Sequence, residues 1–287
     1  MYTRRELGKL VLASVPFAAL QPRAKPDSKF AGVQVGMNVP YNFGSRDLSG
    51  DETLNRCVQL GVSAVELRSQ PVEAFLGAPA REQLRAWRAS APMDKVALFR
   101  KKYEDAGVRI EIVKFDNFYA FADEELDYAF NLAKALGAHA ISCEIDLEGT
   151  KRIGRFADKH ALMVGFHGHT QATPEMWQTA FGYAKHNGAN LDIGHFVAGN
   201  NTSPVSFLKA QHDRITHVHI KDRKFHDGAT TPFGQGDTPI KEVLRLIRDN
   251  KWNIQATIEF EYPVPPGSDR MTELAKCMQY CKDALLS

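Results

Sequence analysis

The feature that most limits what this chain can fold into is a repeat: eight short apolar or β-branched runs recur along it, most of them after a helical stretch. They are AGVQVGMN (from Ala31), VSAVELR (Val62), VRIEIVKFD (Val108), AHAISCEI (Ala138), LMVGFHGH (Leu162), ANLDIGH (Ala189), ITHVHIKD (Ile215) and QATIEFEYP (Gln255). The helix DEELDYAFNLAKALG shows the pattern between them. Leu126, Ala129, Phe130, Ala133 and Leu136 share one face, the first turn is acidic, and Gly137 is a stop. Gly61, Gly107 and Gly188 stand equivalently before other runs. Apolar strands alternating with helices make a parallel sheet covered by helices, and eight units predict an α/β fold, a single closed (β/α)8 TIM barrel. A doubly wound open sheet is the alternative. It would carry a Gly-rich phosphate loop after its first strand, and GMNVPYNFGSRD is not one. The length, 287 residues, fits one large barrel or two ordinary domains, so the repeat decides.

The first residues follow a different pattern. Arg4 and Arg5 precede the uncharged run LVLASVPFAAL (Leu10 to Leu20), which is too short to span a membrane, and a polar segment (Gln21 to Lys29) follows. This order predicts a twin-arginine export signal and linker over residues 1–29, a barrel over 30–287 and a periplasmic or otherwise exported location, with no stable membrane association once the signal is removed. An N-terminal amphipathic helix of the mature fold is the competing expectation. Residues 1–29 hold six Lys/Arg and two Asp/Glu, so the remainder carries 30 basic against 32 acidic residues and has no electrostatic footprint for a nucleic acid. The four cysteines, Cys57, Cys143, Cys277 and Cys281, show no metal-ligand pattern beyond one Cys-x3-Cys on a C-terminal helix; one disulfide is conceivable, and at least two buried thiols are expected.

Residues i and i+2 of a strand point the same way, so a polar-x-polar pair at a strand's end sends two groups to one side. The fifth run ends in His167 and His169, the sixth in Asp192 followed by His195, the seventh in His217 and His219, the eighth in Glu259 and Glu261, and the fourth contributes Glu144. In a barrel these ends converge on the catalytic rim. A single buried histidine is ordinarily a hydrogen-bonded core residue. Four consecutive strands delivering His, Asp or Glu to one rim point instead to a bound cation, which offsets the cost of burying facing charges. Imidazole and carboxylate together suit one divalent ion of the Mn, Fe, Co, Ni or Zn type and argue against Ca or a thiolate Zn site. Such an ion polarises a sugar carbonyl and its neighbouring hydroxyl, so that a carboxylate can remove the intervening C–H proton. Two long connections, Ser69 to Lys95 and Lys224 to Pro239, follow strand ends and are expected to overhang this rim. The first is placed to close over a substrate or to pack on a second copy of the chain.

With GFHGH before them, the segments NLDIGHF, ITHVHIKDR and ATIEFEYP resemble the xylose isomerase-like TIM-barrel superfamily of sugar isomerases and epimerases, which includes inosose dehydratases, ketose 3-epimerases and endonuclease IV. The resemblance runs from Ala31 to Leu286. GQGDTPIKEVL and EYPVPPGSD are similar to an exported branch associated with 3-keto-glycosides. It implies a divalent metal, with Mn favoured and Mg added to the candidates, held by Asp192, His219 and Glu259. His167 stands where many epimerases have glutamate, so the fourth ligand is His167 or Glu144. Loss of that glutamate removes one of the two acid/base groups of the 3-epimerases and opens elimination or hydration beside a ketone as an outcome. By the same resemblance His195 touches substrate and Lys221 steadies an enolate oxygen, an ion pair with Asp222 or Glu259 being its structural alternative. Catalysis then falls to Glu259, Glu144, His195 and Lys221, and substrate contact to His169, His195, His217, Lys221, Arg223, Glu261 and Trp177. Trp177 and Phe233 are candidates to stack on a sugar face, with core packing as the alternative for each. The expected activity is metal-dependent enolisation of a keto-sugar or keto-glycoside, a small-molecule partner; isomerase or epimerase and lyase or hydratase outcomes stay open, as does self-association. An endonuclease is disfavoured by charge, and a non-catalytic sugar binder by the intact Asp192, His219 and Glu259.

Overall fold

The computed structural model describes residues 25–287, so the predicted export segment lies almost wholly outside the described residues. Each of the eight runs forms one strand: β1 Val33–Val39, β2 Ala64–Arg68, β3 Arg109–Lys114, β4 Ala140–Glu144, β5 Met163–His167, β6 Asn187–Asp192, β7 Ile215–Ile220 and β8 Gln255–Ile258. Every neighbouring pair is parallel, and β1 pairs with both β2 (Met37 with Val65) and β8 (Ala256 with Val35), which closes the barrel.

The period of two sorts each strand. In β1, Val35, Met37 and Val39 share one face and Gly36 and Asn38 the other; Asn38 meets Glu259 inside the barrel, so the apolar set faces the helices. The hydrophobic core is therefore the ring between strands and helices. Helices such as Asp123–Leu136 bury Leu126, Ala129, Phe130, Ala133 and Leu136 there, and Gly137 ends that helix in a left-handed conformation (φ 81°). The lumen is polar: Asn38, Glu66, Lys114, Ser142, His167, Asn190, Asp192, His217, His219 and Glu259 are all buried.

Three details bear on the expectations. Ser28 is fully buried and its hydroxyl donates to the Val35 carbonyl at 2.7 Å, while Lys29–Phe30 pairs antiparallel with β1, so the closed end of the barrel already includes residue 28. The Ser69 to Lys95 connection is largely helical, with helices Ser69–Phe75 and Leu84–Arg88. Arg88 ties its two helices together through Glu73 and anchors them to the body through Glu125 of the helix Asp123–Leu136, each at 2.9 Å. All four cysteines are buried and free, so no disulfide forms. Among the described residues no helix is long and apolar enough to cross a membrane.

Candidate metal and active site

Strand register brings the predicted rim residues to one level. Glu144 pairs with His167 across β4 and β5, and Asp192 with His219 across β6 and β7. Asp192 ends β6 and caps the helix Ile193–Asn200, its Oδ1 accepting from the His195 amide at 2.7 Å. The cap fixes the carboxylate and leaves Oδ2 turned to the lumen. There Oδ2 lies 3.5 Å from His167 Nε2 and 3.8 Å from His219 Nδ1, and His167 Nε2 is 3.8 Å from Glu259 Oε2. His167 Nε2 and Asp192 Oδ2 are buried without a hydrogen-bond partner. Lys221 Nζ stands 3.0 Å from Asp192 Oδ2, off the hydrogen-bonding direction.

Orphaned polar atoms are costly in a protein interior, and here two of them converge with Glu259 and His195, while His219 Nδ1 approaches the same carboxylates at 3.0 Å (Glu259) and 3.8 Å (Asp192). The residues fit a divalent cation: two imidazole nitrogens and two carboxylates suit a transition metal. The electrostatics agree. Burial opposes charge on Asp192, yet His195 and Lys221 hold its carboxyl well below the usual range, and Glu259 is likewise held low by His219 and Lys221 against its burial. Burial also opposes charge on His219, but Glu259 and Glu66 hold its imidazole up to about 10. A proton on His219 and the Lys221 ammonium thus balance buried negative charge of the kind a metal ion would neutralise.

The strands of the other half of the barrel hold these groups from behind. Glu66 on β2 is fully buried, and the Nε2–H of His219 donates to its Oε2 at 2.5 Å, leaving Nδ1 facing the cluster. Asn38 on β1 donates to Glu259 Oε1 at 2.8 Å. Lys114 on β3 donates to Glu144 Oε1 at 2.9 Å, and Glu144 Oε2 accepts from His167 Nδ1 at 2.9 Å. Glu144 is therefore occupied on the far nitrogen of His167, and His167 is the better candidate for fourth ligand. Histidines whose second nitrogen is clamped by a carboxylate are the usual arrangement at metal sites. Glu66, Asn38 and Lys114 were absent from the sequence-based site. The strand-end rule that found His167 applies equally to Asn38 in VGMN and Lys114 in EIVK; Glu66 lies mid-strand in VELR, where that rule gives no signal.

Lys221 Nζ also contacts Glu259 Oε2 at 2.9 Å, Glu261 Oε2 at 2.8 Å and His195 Nε2 at 2.8 Å, and these carboxylates outweigh burial to keep it charged. Of its two expected ion-pair partners Glu259 is therefore the one in contact, while Asp222 accepts from the amides of Gly234 (2.7 Å) and Gly236 (3.0 Å), organising the Lys224 to Pro239 loop. Gly194 has no room for a side chain, since a Cβ there would stand 2.8 Å from the Lys221 carbonyl. Burial above all, with Lys221 beside it, pushes His195 down to about 3, and Arg223 Nη1 lies 2.8 Å from its Nδ1. His169, half exposed, stands at the mouth 3.5 Å from Glu144, with Glu261 across from it near His195.

Two substrate expectations are corrected. Trp177 is fully buried, donates Nε1–H to the Phe166 carbonyl at 3.0 Å and packs on Phe196 and Phe207, so it belongs to the outer core. His217 points into the lumen a layer below His219, beside Thr216 Oγ1 (2.8 Å) and Glu66 (3.5 Å), and burial pushes it down to about 4. Phe233 packs edge-on against Tyr280 of the C-terminal helix.

Comparison with known proteins places this geometry. The family model of the xylose isomerase-like TIM barrel matches residues 54–281. Inosose dehydratase of Salmonella typhimurium is 27% identical over 139 residues, 40% of this chain and 45% of that protein; the chain spans a little under half the length of the curated relatives it matches. Among solved structures, one described as the probable 3-DHS dehydratase AsbF of Bacillus anthracis superposes with a TM-score of 0.65 at 14% identity, over 86% of this chain and 98% of that one. A D-psicose 3-epimerase superposes with a TM-score of 0.63 at 14% identity, over 88% and 99%. At such identity these likenesses show the fold.

Proposed function

Because the chain belongs to the xylose isomerase-like TIM-barrel family, whose relatives here include an epimerase and dehydratases, we propose that it is a divalent-metal-dependent enzyme that enolises a keto-sugar or keto-glycoside. The observation that carries this is the convergence of the unpartnered His167 Nε2 and Asp192 Oδ2 with His219 and Glu259 at the C-terminal rim. We infer Mn first among the candidate ions. When bound, the ion supplies Lewis acidity that makes a C–H next to a carbonyl more acidic.

The chain's own residues do the rest. Glu259, ionised and fixed by Asn38, takes the proton from that carbon, and the C–H electron pair becomes the enol double bond. Lys221, charged and immobile among Asp192, Glu259 and Glu261, steadies the enolate oxygen. His195, neutral at pH 7 and held between Lys221 and Arg223, contacts the substrate, while His169, Glu261 and Arg223 orient the sugar at the mouth. Glu144 supports His167 and takes no part in proton transfer.

One observation favours elimination or hydration over epimerisation. Epimerisation by two bases needs a second carboxylate facing the substrate opposite Glu259; the fifth strand carries His167 there, and Glu144 stands behind it on the far nitrogen of that imidazole. With one base, the enolate decays by losing the β-substituent, which leaves with the proton that Glu259 took from carbon.

Incubating the Mn-loaded protein with ketoses and 3-keto-glycosides in D2O tests the proposal. Solvent deuterium enters the carbon next to the carbonyl, or an enone forms, in the wild type and in neither case in Glu259→Gln. A sugar binder would retain affinity in that variant and exchange nothing in either protein. The twin-arginine start fits export of an already folded, metal-loaded barrel, and we propose an exported location on that basis.

A further inference from the structure

Beside the cluster a cavity of about 480 Å³ opens on the same rim, lined by Tyr41, Ser45, Arg46, Thr230, Glu261 and Arg270. It is continuous with the site through Glu261, whose Oε2 meets Lys221 and whose Oε1 accepts from the Tyr41 hydroxyl at 3.0 Å. Both oxygens of the cavity's one carboxylate are thus engaged. The cations are less so. Arg270 lies over the Phe260 ring (4.8 Å to its centroid), and its Nη1 donates to the Asn42 carbonyl at 3.3 Å; among the described residues it has no carboxylate partner. Its neighbour Asp269 is turned to its own helix, accepting from the Thr272 amide at 2.8 Å. Arg46 is more than half exposed and reaches Asp116 only at 3.5 Å. Gly44, left-handed at φ 83°, presents bare backbone to Arg270, where a Cβ would lie 3.0 Å from Nε.

A hexose-sized space next to a sugar site, with two guanidinium groups and its carboxylate already bound, selects for negative charge. We propose that this cavity is a second subsite that binds an anionic group, carboxylate or phosphate, on the part of the substrate remote from the reacting carbonyl. This rests on the enolisation reading for where the carbonyl sits, and it names the substrate class: an acidic or phosphorylated keto-sugar or glycoside. Arg270 and Arg46 recognise the anion, and Tyr41 and Thr230 offer hydroxyls to the linking atoms.

Calorimetric titration with D-glucose, D-glucuronate and D-glucose 6-phosphate tests the subsite without asking for turnover, because none carries a ketone. The wild type is expected to bind at least one anionic sugar about tenfold or more tighter than D-glucose, with an advantage that shrinks in added salt. Which anion gains separates carboxylate from phosphate. Arg270→Met removes the advantage and leaves D-glucose within about twofold, Arg270→Lys restores part of it, and Arg46→Met reduces it if Arg270→Met fails to melt as the wild type does. Equal affinity for all three sugars, no binding of any, or an advantage that survives in both methionine variants overturns the subsite. Deuterium exchange on neutral ketoses would still report the catalytic reading independently.

Discussion

The two halves of the barrel differ in what their strand ends do. Strands β5 to β8 end in groups that face one another across the lumen: His167, Asp192, His219 and Glu259, two of them with atoms left unpartnered. Strands β1 to β4 supply groups that each grip one of those four or its support: Asn38 on Glu259, Glu66 on His219, and Lys114 through Glu144 on His167. One half offers donor atoms and the other orients them. A metal-binding site needs both, because an imidazole free to rotate loses ordering entropy on binding that a clamped one has already given up.

Substitutions on the two sides of this division should therefore fail differently. Glu259→Gln, on the reacting side, is expected to lower solvent exchange into substrate by about 10²- to 10⁴-fold, read by mass spectrometry of recovered sugar. Glu66→Gln, on the orienting side, keeps the fold and the donor atoms but weakens metal binding by about 10- to 100-fold in a competitive chelator titration. An unchanged affinity would remove Glu66 from the account. Lys114→Met acts one step further back, through the partly exposed Glu144, so its effect on the same titration is expected to be smaller, about tenfold at most. Trp177→Phe touches neither half: it loses the bond to the Phe166 carbonyl, lowers stability by about 1–2 kcal/mol in chemical denaturation and leaves KM unchanged. A raised KM with wild-type stability would return Trp177 to the substrate pocket.

The same division explains what was legible in the sequence. All eight strands could be read because both faces of a parallel strand are covered, so each appears as an apolar run bounded by helix stops such as Gly61, Gly107 and Gly137. The donor half could be read because its polar residues come in pairs at strand ends, as in FHGH, HVHI and EFE. The orienting half carries single polar residues, and their partners are remote: Asn38 is 221 residues from Glu259 and Glu66 is 153 from His219. Only closure of the barrel brings them together. Trp177 and His217 misled for a related reason: a helix residue just past a strand end can face the outer core as readily as the rim, and strand period gives the side of His217 without its layer.

The proposed function stands or falls with a metal site in the barrel lumen built from Asp192, His167, His219 and Glu259. Elemental analysis of the purified protein after loading with Mn and extensive dialysis, beside an Asp192→Ala/His219→Ala double variant treated alike, tests it most directly. The account predicts about one ion per wild-type chain and none in the variant. Equal metal in the two proteins, or none in either, would contradict it.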